Sequence, residues 1–157
     1  MTSVGALFRL DGRVAVVTGG GGLLGYQHAA TIAGLGGLPI LLDIDAQALA
    51  ANAARLAEET GQQILTLEAD ITELDAVVAA AERVQAQYGR VDILINNAAR
   101  NPKVESVGDR DFSRLEHFPW EQWQLDLNVG LGGAFNCAKV FGAQMARQER
   151  GVIVNIA

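Results

Sequence analysis

The sequence is short of several things that would mark other classes of protein. It holds one cysteine, Cys137, in 157 residues, so neither an internal disulfide nor a thiolate zinc site can be assembled. His28 and His117 are its only histidines and have no ligand partner at metal spacing, so no metal site is expected. Basic residues are outnumbered, 12 against 18 acidic, for a net charge of −6. That balance argues against a surface built for a nucleic-acid backbone. No apolar run approaches the roughly 20 residues that cross a bilayer, and Met1 to Asp11 lacks the basic and apolar regions of a secretory signal. With 50% hydrophobic and 19% charged residues, the chain can bury a core instead of staying disordered. The expectation is a single domain over residues 1–157, cytoplasmic, with no nucleic-acid and no membrane partner.

What the chain has in excess is glycine, 18 residues, well above the usual share of about 7%. It also has rhythm. Short branched apolar runs recur at Val14–Val17, Ile40–Leu42, Ile64–Leu65, Ile93–Ile95 and Val152–Val154, without the polar alternation of a half-exposed strand. Such runs fit strands covered on both faces, as in a parallel sheet. Between them, Ala46, Leu49, Ala50, Ala53, Leu56 and Ala57, then Leu74, Val77, Val78, Ala81 and Val84, repeat with a period near 3.6. Asp45 and Thr72 stand where helix N-caps belong, and Gly61 and Gly89 just past helix ends. The pattern predicts an α/β fold, a doubly wound parallel sheet. Its strands fall near 13–18, 38–43, 63–69, 91–95 and 151–156, and its helices near 23–35, 46–60, 73–88 and 119–148. Residues 100–118, rich in charge of both signs, read as a polar loop near the expected substrate side.

The glycines concentrate where the first strand meets the first helix, in Thr18-Gly19-Gly20-Gly21-Gly22-Leu23-Leu24-Gly25. A pyrophosphate needs backbone N–H groups pointed at it, and side chains would block the approach. Gly19 permits the tight turn, Gly22 removes a Cβ from the phosphate's path, and Gly25 lets the helix pack on the strand. The helix N-terminus, at Leu24, adds a favourable dipole. Asp43 ends the second strand, 24 residues after Gly19. A carboxylate there accepts both ribose hydroxyls of an adenosine and repels a 2′-phosphate, and no Lys or Arg at 40–47 offsets it. This favours NAD over NADP.

Thr18-Gly19…Gly25, Asp70-Ile71-Thr72, Asn96-Asn97-Ala98-Ala99 and the closing Gly151-Val152-Ile153-Val154-Asn155 resemble, in order and spacing, the short-chain dehydrogenase/reductase family. The resemblance implies a Rossmann-like sheet and places Asp70 at the adenine amino group with Ile71 beside it. It also sets Asn97 and Ala98 along the nicotinamide-side ribose, while Asn96 ties the fourth strand to a neighbour. The cofactor-binding set is therefore Gly19, Gly22, Leu24, Gly25, Asp43, Asp70, Ile71, Asn97 and Ala98. The stretch from Asn101 to Trp123 is similar to members acting on sugars of bacterial surface glycans, with acyl and polyol substrates left open.

The departures from the family pattern matter as much. The family's catalytic asparagine falls at Gly130, and Asn128, two residues earlier, lies about 200° around a regular helix. The family's general acid/base is a tyrosine, with a lysine four residues on that lowers its pKa. Here Tyr26 and Tyr88 are followed at that spacing by Ala30 and Asp92, and Lys103 and Lys139 are preceded by Ala99 and Phe135. Ser3, Ser106 and Ser113 all precede the fifth strand, whereas the family's serine follows it. No catalytic residue is therefore expected in this sequence, which reads as the NAD-binding portion of an oxidoreductase, truncated on its C-terminal side and inactive as written. The substrate would be a small secondary alcohol or ketone, bound by a full-length relative. The alternative is a non-catalytic nucleotide-binding module or gene remnant. Trp120, Trp123, Leu127 and Leu131 form a stripe that suits core or interface, and the chain is expected to be a homo-oligomer through the fourth helix, or aggregation-prone.

Overall fold

The computed structural model describes residues 7–100 and 114–156. In chain order these form β1 (Val14–Thr18), α1 (Leu23–Gly34), β2 (Leu38–Asp43), α2 (Ala46–Thr60), β3 (Leu65–Glu68), α3 (Leu74–Tyr88) and β4 (Ile93–Asn96). After a 3-10 turn at Leu115–His117 come α4 (Trp120–Leu127), a π-helical segment (Asn128–Gly133), α5 (Ala134–Arg147) and β5 (Val152–Asn155). The five strands pair in parallel in the order β3-β2-β1-β4-β5. This is the α/β doubly wound, Rossmann-like sheet that the apolar runs predict. The strand order reverses between β1 and β4, which opens a crevice at their carboxyl ends.

The pleat explains why β1 and β2 need apolar residues on both faces up to their last position. Val14, Val16, Ile40 and Leu42 pack with Val77, Ala81 and Val84 of α3 and with Cys137, Phe141 and Met145 of α5. Leu41 packs against Tyr26 and Ala29 of α1 and Leu49 and Leu56 of α2, while Ala15 and Val17 meet Ile32. Both faces of the sheet are thus covered over these strands. Burying each such side chain is worth about 1.5–3 kcal/mol.

The helix ends follow local chemistry. Asp45 caps α2 by accepting the Ala48 N–H at 2.9 Å, and Gly61 and Gly89 end α2 and α3 at φ values of 69° and 70°. Two boundary expectations are corrected. Glu73, not Thr72, is the N-cap of α3, without a side-chain cap bond, and the Thr72 hydroxyl is oriented by donating to Asp70 Oδ1 at 2.7 Å. The single helix expected over 119–148 is interrupted by the π-helical segment. Gly130, Gly132 and Gly133 fall within that interruption, where weak helix propensity lets the wider turn form.

Two features hold the amino ends of the central strands. The buried Asp92 carboxylate accepts the Val14 N–H at 3.0 Å and Arg13 Nη1 at 3.1 Å, pairs with Arg90, and has Arg150 Nε at 3.9 Å. Beside it, the Gln148 side chain pairs with the Val91 backbone in both directions. Gln148 Nε2 donates to Val91 O at 2.8 Å, and the Val91 N–H donates to Gln148 Oε1 at 3.2 Å. Most of the polar stretch at 100–118 lies outside the described residues.

Candidate functional site

The crevice begins at Thr18, buried at the end of β1. Its hydroxyl accepts the N–H groups of Asn97 and Ala98, each at 3.0 Å, and donates to Ile95 O at 3.3 Å. That bond set pins the Asn97-Ala98 segment against the glycine turn. Gly19 turns the chain with φ 68°, and a Cβ there would lie 2.9 Å from Asn97 Nδ2 and 3.0 Å from Ala98 Cα. At Gly25 a Cβ would come within 2.1 Å of Gly19 O, so the start of α1 sits directly on the turn. Helix α1 opens at Gly22 without a side-chain cap, and the first-turn N–H groups at Leu23 and Leu24 have no intrahelical acceptor. An uncapped, bare-backbone helix N-terminus is suited to an anionic oxygen.

Two carboxylates follow on successive strands. Asp43 Oδ2 accepts the Gly21 N–H at 2.9 Å and Oδ1 the Asp45 N–H at 3.1 Å, so its orientation is set by backbone donors. Asp70 Oδ1 accepts both the N–H and the hydroxyl of Thr72, and the carbonyls of Ile71 and Thr72 are in turn held by Asn136 Nδ2 at 3.0 and 3.1 Å. Gly133 packs beneath them, where a Cβ would come within 2.4 Å of Ile71 Cδ1 and displace that side chain.

A cavity of about 440 Å³ opens among these segments, within the size range of small-molecule and cofactor sites. It brings together Gly19, Asp43, Asp70, Ile71 and Ala98 with Leu125, Asn128 and Val129. Of the other residues in the cofactor set, Gly22 and Leu24 are exposed at the start of α1 and Gly25 is buried beneath the turn. Asn97 Nδ2 donates to Thr18 O at 3.0 Å, joining β4 to β1. Asn96 Nδ2 donates to Asn155 Oδ1 at 2.9 Å and so ties β4 to β5.

Sequence reasoning did not single out Arg100, which lines the cavity and stands 3.6 Å from Asp126. It also passed over Asn136 and Asn52, whose signal was a carboxamide inside an otherwise apolar helix face. Asn128 is exposed and lines the cavity, while a Cβ at Gly130 would meet nothing within 4 Å.

Among the described residues, both tyrosines and the cysteine have shifted titrations. A hydrogen bond to Glu59 pushes the Tyr26 phenol upward, and burial does the same to Tyr88. Both shifts run opposite to what a tyrosine base needs. Burial pushes the Cys137 thiol up to about 12, which keeps it protonated. Among the described residues no group of acidic, histidine or cysteine side chains is arranged for a metal, and no helix is long and apolar enough to cross a membrane.

The stripe on the fourth helix is not core. Trp120, Trp123, Leu127, Leu131 and Phe135 are 64%, 48%, 41%, 68% and 64% exposed, and they line a shallow groove along α4, the π-helical segment and the start of α5.

Comparison with known proteins agrees with this architecture. The profile described as short chain dehydrogenase matches residues 13–157, and the chain belongs to that family of oxidoreductases. It is 33% identical over 150 residues to the D-threitol dehydrogenase of Mycolicibacterium smegmatis, an overlap covering 96% of this chain and 54% of that protein. The structure of NAD+-bound xylitol dehydrogenase superposes with a TM-score of 0.76 at 28% identity, covering 91% of this chain and 52% of that one. L-sorbose reductase from Gluconobacter frateurii, complexed with NADPH and L-sorbose, superposes with a TM-score of 0.76 at 26% identity, covering 93% and 52%. The chain thus spans about half the length of these relatives, which include both NAD+ and NADPH complexes.

Proposed function

We propose that this chain is the NAD-binding portion of an oxidoreductase acting on a small secondary alcohol or ketone. The observation that carries the reading is the Asp43 carboxylate, held at the cleft by two backbone N–H groups. In that setting it accepts ribose hydroxyls and disfavours a 2′-phosphate. The glycines at 19, 22 and 25 and the uncapped start of α1 fit a pyrophosphate, and Asp70 and Ile71 fit the adenine. Asn97 and Ala98 take the nicotinamide-side ribose. When bound, the cofactor supplies a hydride acceptor or donor; the residues of this chain hold and orient it. The polyol and ketose named for the relatives support a polyol or sugar-derived substrate for the complete protein. Lacking a Tyr-x-x-x-Lys pair in its 157 residues, and with both tyrosines shifted upward, the chain is expected to bind NADH without turning over substrate. That leaves a non-catalytic nucleotide-binding module as the second reading. The exposed groove on α4 and α5 supports self-association as a homo-oligomer.

The experiment is a fluorescence titration with NADH, paired with an assay of alcohol oxidation. Saturable binding that weakens about tenfold in Asp43→Ala is the expected result. Absence of binding at about millimolar NADH overturns the reading, and turnover by the chain alone overturns the inactivity.

A further inference from the structure

A peptide unit is planar and trans, so its C=O and N–H point in opposite directions. The unit joining Gly20 to Gly21 has both ends engaged by side chains. Gly20 O accepts from Asn52 Nδ2 at 2.9 Å, and the Gly21 N–H donates to Asp43 Oδ2 at 2.9 Å. Asn52 projects from α2, is half-buried, and also reaches Gly22 O at 3.4 Å. The unit lies between two glycines, where backbone rotation is least hindered. Neither position can take a side chain to stiffen it. A Cβ at Gly20 would lie 2.8 Å from Leu41 Cβ, and one at Gly21 would lie 2.8 Å from Ala48 Cβ. Backbone bonds from the Gly20 N–H to Leu42 O at 3.0 Å and from the Gly22 N–H to Gly19 O at 3.1 Å close a turn around this unit, and its two polar anchors select the way its carbonyl faces within that turn.

We propose that Asn52 is a positioning residue for cofactor discrimination. By holding the Gly20 carbonyl it aims the Gly21 amide at Asp43, and so fixes the carboxylate that recognises the adenosine ribose. The inference rests on the reading of the cleft as an NAD site, and adds to it a residue that acts through the backbone. Without Asn52 the Gly20 carbonyl loses its anchor, and in the turned form of the unit Asp43 keeps only its bond from the Asp45 N–H at 3.1 Å. A carboxylate released in this way holds ribose hydroxyls less firmly and repels a 2′-phosphate less. Preference for NADH over NADPH then declines, an effect that a general loosening of the fold does not produce.

The test is titration of the 157-residue chain with NADH and, separately, NADPH, comparing wild type with Asn52→Ala and Asn52→Asp. Alanine removes the donor and suits a helix; aspartate turns only acceptor oxygens toward Gly20 O. The expected result in both variants is NADH binding weakened about tenfold with NADPH changed less than about threefold, so that the affinity ratio falls. A ratio equal to wild type, whether both affinities drop together or neither moves, overturns the inference while leaving the cleft as an NAD site. A wild-type chain that binds neither dinucleotide, or prefers NADPH, overturns the reading of the cleft and this inference with it.

Discussion

The two flanks of the sheet differ in how completely they are covered. From β3 to β1 the strands lie between α1 and α2 on one face and α3 on the other, and Val14 to Val17 are at most 2% exposed. At the opposite edge, Val152, Ile153 and Val154 of β5 are 56%, 38% and 40% exposed, although the sequence of both strands is equally apolar. On the covered flank, tolerance is set by close packing of backbone on backbone. On the open flank it is set by what else comes to rest there. The same residue types therefore carry different consequences on the two sides, and substitutions can separate them.

The largest effect is expected at the covered flank. Gly25→Ala forces a methyl to within 2.1 Å of a main-chain oxygen that has no room to retreat, and a loss of about 3 kcal/mol or more should appear as a lowered urea midpoint. Asp92→Ala, where the flanks meet, strands the Val14 N–H and leaves Arg13 and Arg90 without their partner. Because the arginines are partly exposed, about 2–3 kcal/mol is expected in the same assay. On the open flank, Glu149 ends α5 in the left-handed region at φ 53°, and Glu149→Gly should stabilise by about 0.5–1 kcal/mol. Leu131→Glu with Phe135→Glu, both on the exposed groove, should change stability by less than about 0.5 kcal/mol per site yet shift light scattering toward monomer. An unchanged association state would show that this face is not where copies meet.

The smallest effect concerns pH. Hydrogen bonds from Tyr26 and Arg55 hold Glu59 below the ordinary carboxylate range, so its contribution is complete above that range and is lost as pH falls through the lowered value. The Tyr26 phenol, pushed up by Glu59, contributes until pH rises past the usual tyrosine range. Glu59→Gln should flatten the acid side of a stability–pH profile and leave the neutral region nearly level.

Legibility in the sequence tracked the same divide. Runs such as Val14–Val17 announced doubly covered strands because each side chain there meets a helix, and Asp45, Gly61 and Gly89 marked helix ends because their chemistry is local. Position in the chain singled out Gly19 and Asp43, the family resemblance added Asp70, Ile71 and Ala98, and the cavity gathers all five. What escaped depended on which partner a polar side chain takes, whether near or distant in sequence. Thr72 carried a cap's side chain, but Asp70 claimed its hydroxyl. Asn52 and Asn136 looked like ordinary helix residues because their acceptors are backbone carbonyls 30 to 65 positions away. The periodic stripe from Trp120 to Leu131 showed that one face is apolar, and periodicity carries no information about what covers it. Consecutive glycines at 132 and 133 weaken a helix, but composition alone does not show that it widens into a π turn.

The pairing of Gln148 with Val91 has a consequence for how the open edge stays in register. A carboxamide carries the same donor and acceptor as a peptide group, so this side chain imitates one residue of a strand just ahead of β5. It occupies Val91 in both directions, and the ladder proper then starts with Ile93 opposite Val152. A slip of β5 toward the amino end of β4 would have to evict it, and a one-residue slip would turn every side chain of the strand to the other face. One glutamine thus acts as a doorstop at the start of the ladder, as the Asn96–Asn155 bond fastens its far end.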